Sequence, residues 1–70
     1  MIEVFRTNVQ DTGQSGDLLK KLESDLPGGR LNFDLEDRDR ILRVECEDFS
    51  AQTVIQLLNE NGYWCEVLED

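Results

Sequence analysis

The chain has 70 residues, 39% hydrophobic and 33% charged, which bounds it to one small core and excludes a disordered segment. Sixteen acidic against seven basic residues give a net charge of -9, so its average surface repels nucleic-acid backbones and anionic membranes. No apolar run approaches the roughly 20 residues that cross a bilayer, and no basic stretch precedes a signal-like apolar region, so the expected setting is the cytoplasm, without membrane contact.

Met1 to Val9 is rich in β-formers and dissolves into the polar stretch Gln10 to Asp17, which carries two glycines and reads as a loop. From Gly16 the period changes. Leu18, Leu19, Leu22 and Leu26 recur at helical spacing, with Ser15 as the expected N-cap, Asp17 in the first turn and Pro27-Gly28-Gly29 as the stop. Leu31, Phe33 and Leu35 then alternate with Asn32, Asp34 and Glu36, the period of a strand with one buried face. After a turn at Asp37-Arg38-Asp39, Leu42, Val44 and Cys46 alternate with Arg43 and Glu45, so the two strands form a hairpin. Ser50 is the expected N-cap of a second helix with Ala51, Val54, Ile55 and Leu58 inward and Phe49 as a staple on Val54. Gly62 sits where a left-handed residue ends that helix, and Tyr63 to Leu68 reads as the last strand.

The order β-α-β-β-α-β, with right-handed crossovers, predicts a single α+β domain over residues 1–70 with a ferredoxin-like fold: a four-stranded antiparallel sheet with both helices on one face. The first strand then lies between the strands bearing Cys46 and Cys65, whose backbones fall about 10 Å apart, two strand spacings. That exceeds the roughly 7 Å Cα limit of a disulfide, so two reduced core thiols are expected. The other sheet face has no layer over it. If Phe5 and Val9 point inward, alternation sends Ile2 and Val4 outward, and the same logic sends Ile41 and Trp64 outward. These four are the expected surface for a protein partner or for self-association.

The motifs resemble the heavy-metal-associated domain of copper chaperones and metal-pumping ATPases over nearly the whole chain. That family places Cys-x-x-Cys just before its first helix, in a loop of the form Thr-Asn-Ile-Lys-Cys-Ser-Gly-Cys; the aligned stretch here is Thr7-Asn8-Val9-Gln10-Asp11-Thr12-Gly13-Gln14. Leu31 to Leu35 is similar to the family's second strand, Asp39 to Val44 to its Asp-Arg-Val-Leu-Thr-Val, and Asn61-Gly62-Tyr63 with Glu66 and Val67 to its Ala-Gly-Tyr turn and last strand. Asp11 and Gln14 stand where the two cysteines would be. Two thiolates at that spacing hold soft ions such as Cu(I), whereas a carboxylate and an amide do not. The resemblance therefore implies a degenerate member that has lost soft-metal binding, carries no cofactor and acts as a binding or interaction module.

Two alternatives stay open. Asp11, Gln14 and Asp17 offer oxygens for weak or altered metal-ion binding in the loop of residues 10–17, although tight hard-cation sites need six or more such ligands. A regulatory small-ligand domain of the amino-acid-binding kind shares the topology and would act as a dimer, with its site between copies. Enzyme activity is not expected, because the chain has no histidine and no cluster joining a nucleophile to a base.

Overall fold

Six elements form in the order β1 (Ile2–Thr7), α1 (Thr12–Asp25), β2 (Arg30–Asp34), β3 (Ile41–Glu45), α2 (Ala51–Glu60) and β4 (Cys65–Val67). They are seen in a computed structural model that describes residues 1–69; Asp70, the end of the domain read as 1–70, lies outside the described residues. The four strands make one antiparallel sheet in the order β2-β3-β1-β4, the ferredoxin-like arrangement that the alternation and the two crossovers predict.

Register decides which side chains meet the helices. Phe5 stands opposite Leu42 and Glu3 opposite Val44, while Phe33 and Leu31 flank the same two β3 residues from the other side. Phe5, Leu42 and Val44 have no exposed surface, and with Val9, Leu18 and Leu22 of the first half and Val54 and Leu58 of α2 they form the core. Each such fully buried side chain contributes about 1.5–3 kcal/mol relative to exposure, which lets so short a chain hold a sheet and two helices together.

The first helix starts four residues earlier than the apolar period announces, at Thr12 instead of Gly16. Its N-cap is Asp11, whose backbone is extended and whose side chain accepts from the Gln14 amide, so Ser15 is not the cap. Ser15 lies inside the first turns, buried, with its hydroxyl donating to the Thr12 carbonyl at 3.2 Å. Asp17 consequently sits beyond the first turn. The second helix begins as its sequence predicts, with the Ser50 hydroxyl accepting from the Gln52 amide. It ends in a Schellman motif: Tyr63 N–H donates to Leu58 O at 2.8 Å and Gly62 N–H to Asn59 O at 3.0 Å, with Gly62 at φ +90°.

Two strands are shorter than their β-rich stretches suggest. β1 stops at Thr7, whose buried hydroxyl donates to the Arg40 carbonyl at 2.7 Å and accepts from the Val9 amide at 3.2 Å, turning the chain toward α1. β4 keeps only three residues, since Tyr63 is taken up by the end of α2. At the β2–β3 turn the Asp37 carboxylate accepts from the Asp39 amide and Arg40 adopts φ 49°, a left-handed conformation unusual for a side-chain-bearing residue.

Candidate functional site

The loop before α1 is built from reciprocal hydrogen bonds. Asp11 Oδ1 accepts from the Gln14 amide at 2.9 Å, and Gln14 Oε1 reaches back to accept from the Gln10 amide, also at 2.9 Å. Asp-x-x-Gln thus works as a variant of the capping box, in which the third helical residue returns the favour of the N-cap one position further out. The Arg40 guanidinium adds a bond to the Gln10 carbonyl at 3.0 Å, tying the β2–β3 turn to the loop. Asp11 Oδ1 and Gln14 Oε1 are therefore both engaged with the chain's own backbone. Among the described residues, no group of three or more His, Cys, Asp or Glu side chains converges as a metal site.

The two thiols do not meet. β1 lies between β3 and β4, with Cys46 half-buried just past the end of β3 and Cys65 buried in β4 opposite Thr7. Burial, with a smaller effect from Glu66, pushes the Cys65 thiol up from 9.0 to about 12, which makes it a poor nucleophile and a poor soft-metal ligand at neutral pH. Cys46 lines an open groove of about 340 Å³ with Met1, Gly28, Arg30, Glu45 and Glu47.

The open face of the sheet mixes apolar and charged side chains. Alternation places Ile2, Val4 and Arg6 of β1 there, flanked by Glu45, Arg43 and Ile41 of β3 and by Glu66 of β4. Register puts Ile2, 49% exposed, and the half-buried Val4 and Ile41 on this face, and Trp64, 47% exposed, joins them through its contact with Arg6. They do not form one patch. The β1–β4 register carries Trp64 to the level of Asn8, whose side chain accepts from the Trp64 amide at 2.7 Å. Ile2 is six residues from Asn8, about 20 Å along an extended strand. Ile2 and Val4 therefore occupy one half and Trp64 the other, with Ile41 beside Arg6 at the middle.

Between the halves sits Arg6, which the sequence reading passed over. Its guanidinium lies 3.3 Å from Asp39 Oδ1 on one side, 3.3 Å from Glu66 Oε1 on the other, and 5.9 Å from the centre of the Trp64 ring. Its Nε is covered and has no partner among the described residues. Half-exposed ion pairs of this kind contribute about 0–1 kcal/mol each, and the cation–π contact about 0.5–1 kcal/mol. They order the side chains more than they stabilise the fold. The signal was present in the alternation of Ile2, Val4 and Arg6; what pairs with Arg6 depends on strand register over more than thirty residues of chain.

No helix among the described residues is long and apolar enough to cross a membrane. Comparison of the chain with protein-family models, with curated proteins and with solved structures returned no match.

Proposed function

We propose that this chain is a heavy-metal-associated-like domain whose metal loop has become a helix cap, and that it serves as a non-enzymatic interaction module working through the open sheet face. The reading rests on one observation: Asp11 and Gln14, at the two positions that the family fills with cysteine, spend their side-chain oxygens on the Gln14 and Gln10 amides. A hard cation would compete with both bonds for Asp11 Oδ1 and Gln14 Oε1 and would gain few ligands in return, since such ions need six or more oxygens or a bound phosphate. With that chemistry gone, the uncovered sheet face, with Ile2 and Val4 at one end, Trp64 at the other and Arg6 beside Ile41 between them, is the surface left to act. The setting in this reading is the cytoplasm, where the free Cys46 and Cys65 stay reduced.

Titration of the reduced protein with Cu(I) and Zn(II), followed by amide shifts in NMR spectra, tests the reading on two chains. The unaltered protein is expected to show no saturable shifts in residues 9–17. The double variant Asp11→Cys/Gln14→Cys is expected to bind stoichiometrically, because two thiolates spaced by three residues at a helix N-terminus converge on one ion and gain from the dipole. Stoichiometric binding by the unaltered chain sinks the lost-metal reading. Failure of the double variant to bind sinks the family resemblance instead.

A further inference from the structure

The sheet has two edges. β4 offers only three residues, but β2 runs for five, Arg30-Leu31-Asn32-Phe33-Asp34, with no proline and with β3 on one side only. An unpaired edge is a template for another strand, and which strand it accepts depends on the side chains it presents.

The ladder shows which backbone groups of β2 are free. Cys46 N–H donates to Met1 O at 3.0 Å, so with the β1–β3 register the even-numbered residues Val44 and Leu42 turn their amides and carbonyls toward β1. Leu68 N–H donating to Val4 O at 2.8 Å fits the same alternation, since even β1 residues face β4. Ile41, Arg43 and Glu45 then face β2, where they meet Asp34, Asn32 and Arg30. The N–H and C=O groups of Leu31 and Phe33 are left pointing out of the sheet.

We infer that β2 pairs antiparallel with β2 of a second copy of this chain, about a two-fold axis through Asn32, to give one continuous eight-stranded sheet. In that register every position of the strand meets a complementary one. Arg30 stands opposite Asp34 of the second copy, and Asp34 opposite its Arg30. Leu31 stands opposite Phe33, twice. The backbone agrees with the side chains: Leu31 and Phe33, the residues with free edge groups, become the hydrogen-bonded pairs. Arg30 and Asp34 become non-hydrogen-bonded pairs, where facing side chains come closest. Arg30, Asn32 and Asp34 all lie on the open face and Leu31 and Phe33 on the helix-facing side, so the two-fold keeps charged residues with charged and apolar with apolar. Leu31 and Phe33 are half-buried in a single copy and would cover each other in the pair.

The partner is selected by charge. A copy of a chain with net charge -9 is repelled at most approaches, and the Arg30–Asp34 seam is one place where two copies meet with opposite charges aligned. Neither Arg30 nor Asp34 makes an ion pair within its own chain among the described residues, and both are exposed, so they are free for this contact. A seam of one strand pair buries less than a standard interface, so the dimer is weak, with a dissociation constant on the order of 10⁻⁴ M. It does not depend on the open-face reading above and fails separately from it.

The test is charge reversal at the seam, read by sedimentation from about 10 µM to about 1 mM, a range that brackets so weak a constant. The unaltered chain is expected to dimerise across that range. Arg30→Asp and Asp34→Arg, made singly, replace two attractive pairs by two repulsive ones and should weaken the dimer roughly tenfold or more. The double reversal Arg30→Asp/Asp34→Arg restores complementarity and should restore the dimer. Amide exchange gives the second readout: the Leu31 and Phe33 amides should slow with rising concentration while that of Asn32, already turned to β3, does not change. A monomer throughout overturns the inference. So does a dimer indifferent to the single reversals, or a double reversal that stays monomeric while its circular dichroism remains that of the folded chain.

Discussion

Phe5 and Arg6 are consecutive residues of one central strand and live in opposite chemistries. Phe5 has no exposed surface and packs among Leu42, Val54 and Leu58; Arg6 lies on the uncovered face between two carboxylates and the Trp64 ring. A strand alternates, so each β1 residue commits to one layer, and only one of the two layers has helices over it. The helix-facing side is where the free energy of folding is concentrated. The open side carries polar and apolar groups whose loss the fold can tolerate, and that tolerance is what a surface needs if it is to be shaped for binding.

The contrast is broken most severely by truncating the buried residue. Phe5→Ala should cost about 3–5 kcal/mol in urea unfolding, most of what a domain of this length possesses, while Val4→Ala, one residue earlier on the other face, should cost under about 1 kcal/mol. Equal losses would mean that the open face is packed against something in solution.

High pH probes the same division through Cys65. The unfolded chain releases this thiol proton from about pH 9, its ordinary value, whereas burial holds it in the folded chain until about 12. The folded state therefore binds more protons between those limits, and stability, complete below pH 9, should fall steadily as pH rises toward 12. Cys65→Val should remove that part of the decline, seen as a shallower dependence of the urea midpoint on pH. An unchanged slope would show that the thiol is not buried in solution.

The smallest effect belongs to the exposed aromatic. Trp64→Ser should lower the unfolding free energy by about 0.5–1 kcal/mol, the worth of its cation–π contact with Arg6. A larger loss in the same urea series would move Trp64 from the binding surface to the structural side of the ledger.

The fold was legible because its signals are local. The alternation of Leu31, Phe33 and Leu35, the helical spacing of Leu18 and Leu22, and Gly62 after Asn61 each record a physical requirement within a few residues. The start of α1 was not legible from apolar spacing, because its first turn, Thr12-Gly13-Gln14-Ser15, buries no large side chain and is held by Asp11 and Gln14 instead. The spacing of Asp11 and Gln14 is itself a capping signal, and the same spacing serves paired cysteines, so sequence alone does not separate the two. Which residues shared the open face followed from alternation. That Ile2 and Trp64 stood at opposite ends of it did not, because the β1–β4 register joins residues some sixty positions apart, as in the Arg6–Glu66 pair.

Arg40 carries a consequence for how the molecule opens. Its left-handed backbone costs about 1–3 kcal/mol, offset by its carbonyl's bond to Thr7 and its guanidinium's bond to Gln10. The β2–β3 turn and the entrance to α1, some thirty residues apart in the chain, are thereby latched into one cooperative unit. Opening of either segment breaks the bonds it shares with the other, so amide exchange should show the turn and the α1 entrance opening together.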